Sequence, residues 1–90
     1  MTIYTSKLFE NQLKDILSTL VKQDYKATKN FKMYLDTIII NMPTKIKKYK
    51  KSIYFDNENI KDIEFQGCRI PFLIDEINNC YYILGITTKS

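Results

Sequence analysis

The chain has 90 residues, of which 44% are apolar and 13% aromatic, enough for one folded core and too few for two domains. Fourteen basic and ten acidic side chains leave a net charge of +4, a mild surplus that favours nucleic acid or an acidic protein segment as partner without requiring either. No apolar run reaches the roughly 18 residues of a membrane span, and the first residues lack the apolar stretch of a secretory signal. We therefore expect a single domain over residues 1–90 in the cytoplasm, with no membrane contact.

The N-terminal residues predict a short strand followed by a helix. Residues 2–5 are β-branched or aromatic, and Ser6 can cap the first amides of a helix that begins near Lys7. From Phe9 to Val21, apolar residues recur at steps of three and four, which is typical of an amphipathic helix of about four turns.

A second amphipathic helix follows after a very short link. Asp24 can cap it, apolar residues recur from Ala27 to Met42, and Pro43 prevents its continuation. Short links make neighbouring helices antiparallel, so the first 43 residues are expected to form a helical hairpin.

Residues 44–59 read as a basic loop with one helical turn at most, anchored by its apolar members. Its lysines are candidates for contacting a nucleic-acid backbone, with Tyr49 and Tyr54 as possible stacking surfaces. The alternative is an ordinary solvated surface, because lysines on a loop do not read bases as a fixed helix does. The candidate lysines are Lys45, Lys47, Lys48, Lys50 and Lys51.

From Ile60 onward the apolar pattern alternates, which predicts a three-stranded antiparallel meander. If Gln66 and Gly67 form a two-residue turn, Glu64 lies opposite Arg69 and one sheet face collects the apolar side chains that the helices cover. That face is expected to contain Ile63, Phe65, Ile70, Phe72 and Ile74.

A second turn centred near Ile77 is expected to place Ile74 opposite Cys80. This register adds Tyr82, Leu84 and Ile86 to the covered face and leaves Arg69, Leu73, Tyr81 and Ile83 on an open face. It also separates Cys68 from Cys80 too widely for a disulfide, so both are expected to be free thiols. The resulting fold class is α+β: an N-terminal short strand and an antiparallel helical hairpin packed on a small antiparallel β-sheet.

Few residues suggest catalytic chemistry. The chain has no histidine, no Gly-rich phosphate loop and no metal-ligand spacing around its two cysteines, so we expect neither a metal nor a small-molecule cofactor. Arg69, the only arginine, projects from the open face and can hold a phosphate or carboxylate, or simply pair with Glu64 across the hairpin. Pro71 lacks an amide hydrogen and predicts a bulge or partly open edge that an extended peptide could use.

In order and in motif the chain resembles the RelE/ParE toxin superfamily. The similarity covers a short strand, a helical hairpin ending in Met42-Pro43, a basic loop, the segment from Lys61 to Ile74, and the last strand Tyr82-Ile83-Leu84-Gly85-Ile86. Members usually carry a turn with glycine and then a Tyr-Arg-aliphatic-x-Tyr strand. Here Gly67, Arg69 and Ile70 keep that pattern, whereas Cys68 and Phe72 replace the two tyrosines.

The resemblance implies a growth-inhibiting toxin held inactive by a cognate antitoxin. One branch cleaves messenger RNA on the ribosome and the other poisons DNA gyrase. Cleaving members typically place basic and aromatic or histidine residues in and after the last strand, where this chain has Thr87-Thr88-Lys89-Ser90. The catalytic candidates that remain are Lys61, Arg69 and Lys89, so the gyrase-directed, ParE-like branch is favoured. The alternatives are a RelE-like ribosome-dependent endoribonuclease and a diverged, non-toxic antitoxin-binding module.

The predicted antitoxin surface is the open sheet face. An acidic, partly apolar segment is expected to contact Arg69, Pro71, Leu73, Tyr81 and Ile83, gaining affinity from backbone pairing and buried side chains. The alternative docking surface is the helical hairpin.

Overall fold

The structure is a computed structural model that describes residues 2–88. Two helices pack on one face of a single six-stranded sheet, so the predicted α+β fold class is confirmed. None of the helices in residues 2–88 is long and apolar enough to span a membrane. The elements are β1 (Thr2–Thr5), α1 (Lys7–Gln23), α2 (Tyr25–Asn41), a 3-10 segment (Met42–Lys48), β2 (Lys50–Lys51), β3 (Ile60–Phe65), β4 (Cys68–Asp75), β5 (Cys80–Ile83) and β6 (Thr87–Thr88).

The helix boundaries follow from the predicted caps. The Ser6 hydroxyl accepts the Phe9 amide at 2.9 Å, and the Asp24 carboxylate accepts the Ala27 amide at 3.1 Å. Each cap supplies an acceptor for an amide that has no partner inside the helix. Asp24 also ends α1, because its backbone is extended and lets the chain reverse into α2.

The sheet has the order β1-β5-β4-β3-β2, with β6 paired to the start of β4. The β3–β4 hairpin is antiparallel, turns at Gln66-Gly67, and places Glu64 opposite Arg69 as predicted. β1 lies at an edge and runs parallel to β5. Because β3 and β4 lie in the middle, their apolar side chains fill the layer beneath the helices.

The buried core lies between that sheet face, the start of α1 and the second half of α2. Leu35 and Met42 from the helical side and Ile63, Ile70 and Phe72 from the sheet are fully buried. Burial of such side chains stabilises a fold by about 1.5–3 kcal/mol each. The remainder of the helical hairpin contributes less, because no residue from Lys14 to Asn30 is buried.

The β4–β5 register differs by one residue from the predicted one. Asp75, not Ile74, lies opposite Cys80, so Ile74 faces Tyr81 and Phe72 faces Ile83. A shift of one residue exchanges the two faces of a strand. Tyr81 and Ile83 are therefore core residues, whereas Tyr82 and Leu84, which were expected in the core, are only partly buried and alternate with them.

The last predicted strand is interrupted. β5 ends at Ile83, and the chain resumes as β6 only at Thr87. The Gln12 side chain fixes this break by accepting the Ile86 amide at 2.9 Å. A side chain at Gly85 would meet the Gln12 carboxamide at 2.8 Å, so glycine allows this close approach of α1.

Both cysteines are buried free thiols, as expected. Cys80 lies opposite Asp75 at one end of β4, whereas Cys68 begins β4 at the other end, so the two are far apart. Burial raises the pKa of the Cys68 thiol, which disfavours its reactive thiolate.

Candidate functional site

Arg69 is held by two carboxylates on the sheet face away from the helices. Its guanidinium donates to Asp62 Oδ2 at 3.0 Å and to a Glu64 carboxylate oxygen. The Asp62 side chain is only 2% exposed and the Arg69 side chain 17%. Two alternatives were open for Arg69, contact with a partner and pairing with Glu64. The structure shows the pairing, and Asp62 takes part in it as well.

A loop crosses this face and covers part of the cluster. Residues 52–59, the crossing loop, run from β2 over β3 and β4. The Ile53 amide donates to Asp62 Oδ2 at 3.0 Å, and the Tyr54 hydroxyl lies 2.9 Å from Thr87 Oγ1 on β6. The sheet face away from the helices, here called the second face, is therefore partly covered around Asp62. The prediction that this face is open was wrong there.

Lys61 lies apart from Arg69. Residues alternate along β3, which puts Lys61 on the face opposite that of Asp62 and Glu64. Its ammonium donates to the Ile46 carbonyl at 3.1 Å and so ties the 3-10 segment to the sheet. Two catalytic candidates are consequently on different faces, and the third, Lys89, lies outside the described residues.

The predicted partner residues are divided by the observed register. Tyr81 and Ile83 are 5% and 0% exposed and belong to the core, so the prediction that they lie on an open face was wrong. Leu73 is partly buried on the second face, as expected of its position there. Pro71 is buried in a central strand, and its carbonyl accepts the Leu84 amide at 2.8 Å. Its missing amide therefore faces the break after β5, not an open sheet edge.

The exposed part of the second face carries an aromatic pair that sequence reasoning missed. Tyr4 of β1 and Tyr82 of β5 stack with ring centroids 5.3 Å apart, and Tyr4 remains 49% exposed. The signal was present in the N-terminal strand, but the parallel pairing of β1 with β5 joins residues about 80 positions apart. Local patterns do not encode such a pairing.

The basic segment, residues 45–51, is ordered along one edge of the sheet. Its first half belongs to the 3-10 segment and its last two residues form β2, which pairs with β3. Tyr49 is buried, with its ring edge-on to Phe72 at 5.6 Å, so its predicted role as a stacking surface was wrong. Burial raises the pKa of the Tyr49 hydroxyl and keeps it neutral. The lysines, in contrast, are exposed.

Two clefts flank the basic segment. One, of about 520 Å³, is lined by Lys48, Lys50 and Lys51 together with Ile53 and the Arg69 cluster. The other, of about 400 Å³, lies between α2 and the 3-10 segment and includes Lys45 and Lys48. Within residues 2–88, no group of histidine, cysteine and carboxylate side chains is placed to hold a metal ion.

The helical hairpin carries a separate, mainly apolar groove. It has a volume of about 460 Å³, and Leu13, Leu17 and Val21 form its apolar wall. Lys14 and Glu10 border it. Leu13 and Leu17 are partly buried and also pack against the core, whereas Val21 is exposed.

These features define a two-layer α+β protein, the fold class that the resemblance implies. No protein-family model matches the chain, and no curated protein sequence shows significant similarity to it. Solved structures do match. A chain from the "Chromosomal ParDE TA system from P. aeruginosa" has a TM-score of 0.67 and 12% identity, over 100% of this chain and 97% of that one. The conserved hypothetical protein HP0892 from Helicobacter pylori has a TM-score of 0.62 and 21% identity, over 98% and 93%.

Proposed function

We propose that this chain is the toxin of a type II toxin-antitoxin module, which inhibits growth and is neutralised by a cognate antitoxin. The support is agreement in fold between this whole chain and a chain from a ParDE system, of which 97% is covered. Small α+β folds host many activities. The fold therefore supports the proposal that the chain is a toxin, whereas the molecular target has to be argued from the surfaces.

The Arg69 cluster is the observation that favours a gyrase-directed action over RNA cleavage. Phosphodiester cleavage needs cations placed to stabilise the developing negative charge. Here the only arginine is neutralised by Asp62 and Glu64, and Lys61 points to the opposite face. A scissile phosphate at Arg69 would have to compete with two carboxylates that already hold the guanidinium. We infer that the toxin acts by binding DNA gyrase, as ParE-like toxins do.

The groove on the helical hairpin is the surface we propose for the antitoxin. Its apolar wall of Leu13, Leu17 and Val21 matches the apolar side of an amphipathic segment, and Glu10 and Lys14 at its border can pair with charges of either sign on that segment. Tyr81 and Ile83 lie in the core, so two of the five residues expected to contact the antitoxin on the second sheet face are not accessible to it. The groove thus replaces the open sheet face as the main docking surface.

The function is tested by inducing the chain in growing cells with and without its antitoxin. We expect growth arrest that the antitoxin relieves, together with loss of plasmid supercoiling and with gyrase-dependent DNA breaks. Purified protein should reproduce the block with purified gyrase. Transcript cuts on ribosomes, with supercoiling unchanged, would show the endoribonuclease alternative instead. Tight antitoxin binding without any growth arrest would show the non-toxic binding module.

A further inference from the structure

One short segment carries a large share of the positive charge. Residues 45–51 carry five of the fourteen basic side chains and no carboxylate. All other residues together carry nine basic and ten acidic side chains, so they are close to neutral. This segment is therefore a dense run of positive charge with no acidic residue inside it.

This segment is held on a fixed backbone. Tyr49 anchors it in the core against Phe72, and the Ile46 carbonyl accepts a hydrogen bond from Lys61 at 3.1 Å. At its end, Lys50 and Lys51 pair with β3. A ligand that binds the lysines does not have to order this backbone first, which lowers the entropic cost of binding.

Most of the lysines are available to a ligand. Lys51 is engaged by Asp56 and Glu58 at 3.0 and 3.4 Å. The other four form no ion pair with any residue that the structure describes, and Lys48 lies 6.0 Å from the centroid of the Tyr49 ring. They are Lys45, Lys47, Lys48 and Lys50. Lysines that no carboxylate neutralises are available to contact phosphates.

Three large apolar side chains are exposed directly after the lysines. Ile53, Tyr54 and Phe55 are 69%, 48% and 42% exposed. Ile53 lines the same cleft as Lys48 and Lys50, next to the Arg69 cluster, whose Asp62 and Glu64 complete the wall. The Tyr54 hydroxyl is held by Thr87 Oγ1 at 2.9 Å, while about half of the side chain remains exposed.

We propose that the basic segment and the exposed rings of Tyr54 and Phe55 form a binding site for single-stranded nucleic acid. Lysines along a fixed backbone contact successive phosphates, while aromatic rings stack on unpaired bases without regard to sequence. A duplex offers the phosphates but keeps its bases paired. An acidic peptide would neutralise the lysines but has no bases to stack on the two rings. Binding at this site does not depend on gyrase as the target.

The site is tested by fluorescence anisotropy of purified protein with a fluorescein-labelled 15-nucleotide thymidine strand, its uridine counterpart and a 15-base-pair duplex. Both single strands should bind more tightly than the duplex. With about three phosphates neutralised, the logarithm of the binding constant should fall with the logarithm of salt with a slope near −2. A tighter duplex, or a polyglutamate peptide that binds as well as the strands, would overturn the proposal.

Variants separate the site from general charge. Replacing Lys47, Lys48 and Lys50 with alanine should weaken strand binding at least about tenfold. Replacing Lys22, Lys26 and Lys29 on the hairpin removes the same charge and should change it less than about twofold. Phe55→Ala should weaken binding severalfold, whereas Phe55→Tyr, which keeps a ring, should not. Equal loss in both lysine variants, in proteins with unchanged circular dichroism, would also overturn it.

Discussion

At the scale of single residues, the Arg69 cluster shows how one arginine is used for structure. Asp62 is almost completely buried and accepts hydrogen bonds from both Arg69 and the Ile53 amide. A buried carboxylate requires such partners, because removal of one leaves an uncompensated charge. Arg69 therefore links the β3–β4 hairpin to the crossing loop.

The cluster predicts that removing Arg69 and removing Glu64 have unequal effects on stability. Arg69→Ala leaves Asp62 buried without its cation and should lower the free energy of unfolding by about 2–4 kcal/mol. Glu64→Ala removes an exposed partner and should cost less than about 1 kcal/mol. Urea unfolding followed by circular dichroism measures both. Equal small losses would mean that Arg69 pairs only at the surface and remains available to a ligand.

The sequence predicted the pairing of Arg69 with Glu64 but not the contact of Ile53 with Asp62. Glu64 and Arg69 face each other because a two-residue turn at Gln66-Gly67 fixes the pairing of the strands that it joins. The contact of Ile53 with Asp62 depends on the path of the crossing loop. Loops of that length have no pattern that specifies their course, so this contact could not be read from residue order.

At the scale of elements, the helices were predictable and the last hairpin was not. Ser6 and Asp24 mark the helix starts through local hydrogen bonds, which depend on near neighbours alone. The β4–β5 turn spans four residues, Glu76 to Asn79, with Asn79 at a positive φ of 54°. Composition suggested a turn there but could not fix its length, and a difference of one residue exchanged Tyr81 with Tyr82.

The observed register predicts which of these adjacent tyrosines supports the fold. Tyr81 packs in the core, with its ring centroid 6.5 Å from that of Phe72. Tyr81→Ala should therefore lower the free energy of unfolding by about 3 kcal/mol, as large core truncations do. Tyr82→Ala, which removes a partly exposed ring stacked on Tyr4, should cost about 1 kcal/mol. Chemical denaturation of the pair compares them directly, and the reverse order would restore the register expected from sequence.

At the scale of the whole molecule, the degree of burial falls along the helical hairpin. The longest dimension is 41 Å, against 26 and 24 Å for the others. All residues from Lys14 to Asn30 are exposed or only partly buried, although this region includes the apolar stripe of α1. Small domains bury a limited fraction of their surface, so a bound partner that covers this region would stabilise the chain.

This difference in burial predicts where the antitoxin binds. Val21 is exposed and lines the hairpin groove, so Val21→Asp should leave folding unchanged but weaken antitoxin binding about tenfold or more, as loss of an apolar anchor does. Ile40→Asp is the matched control, since Ile40 is an exposed apolar residue of α2 that does not line the groove. Calorimetric titration with the cognate antitoxin measures both. If Val21→Asp binds as the unmodified chain does while Arg69→Ala binds more weakly, the antitoxin occupies the second sheet face.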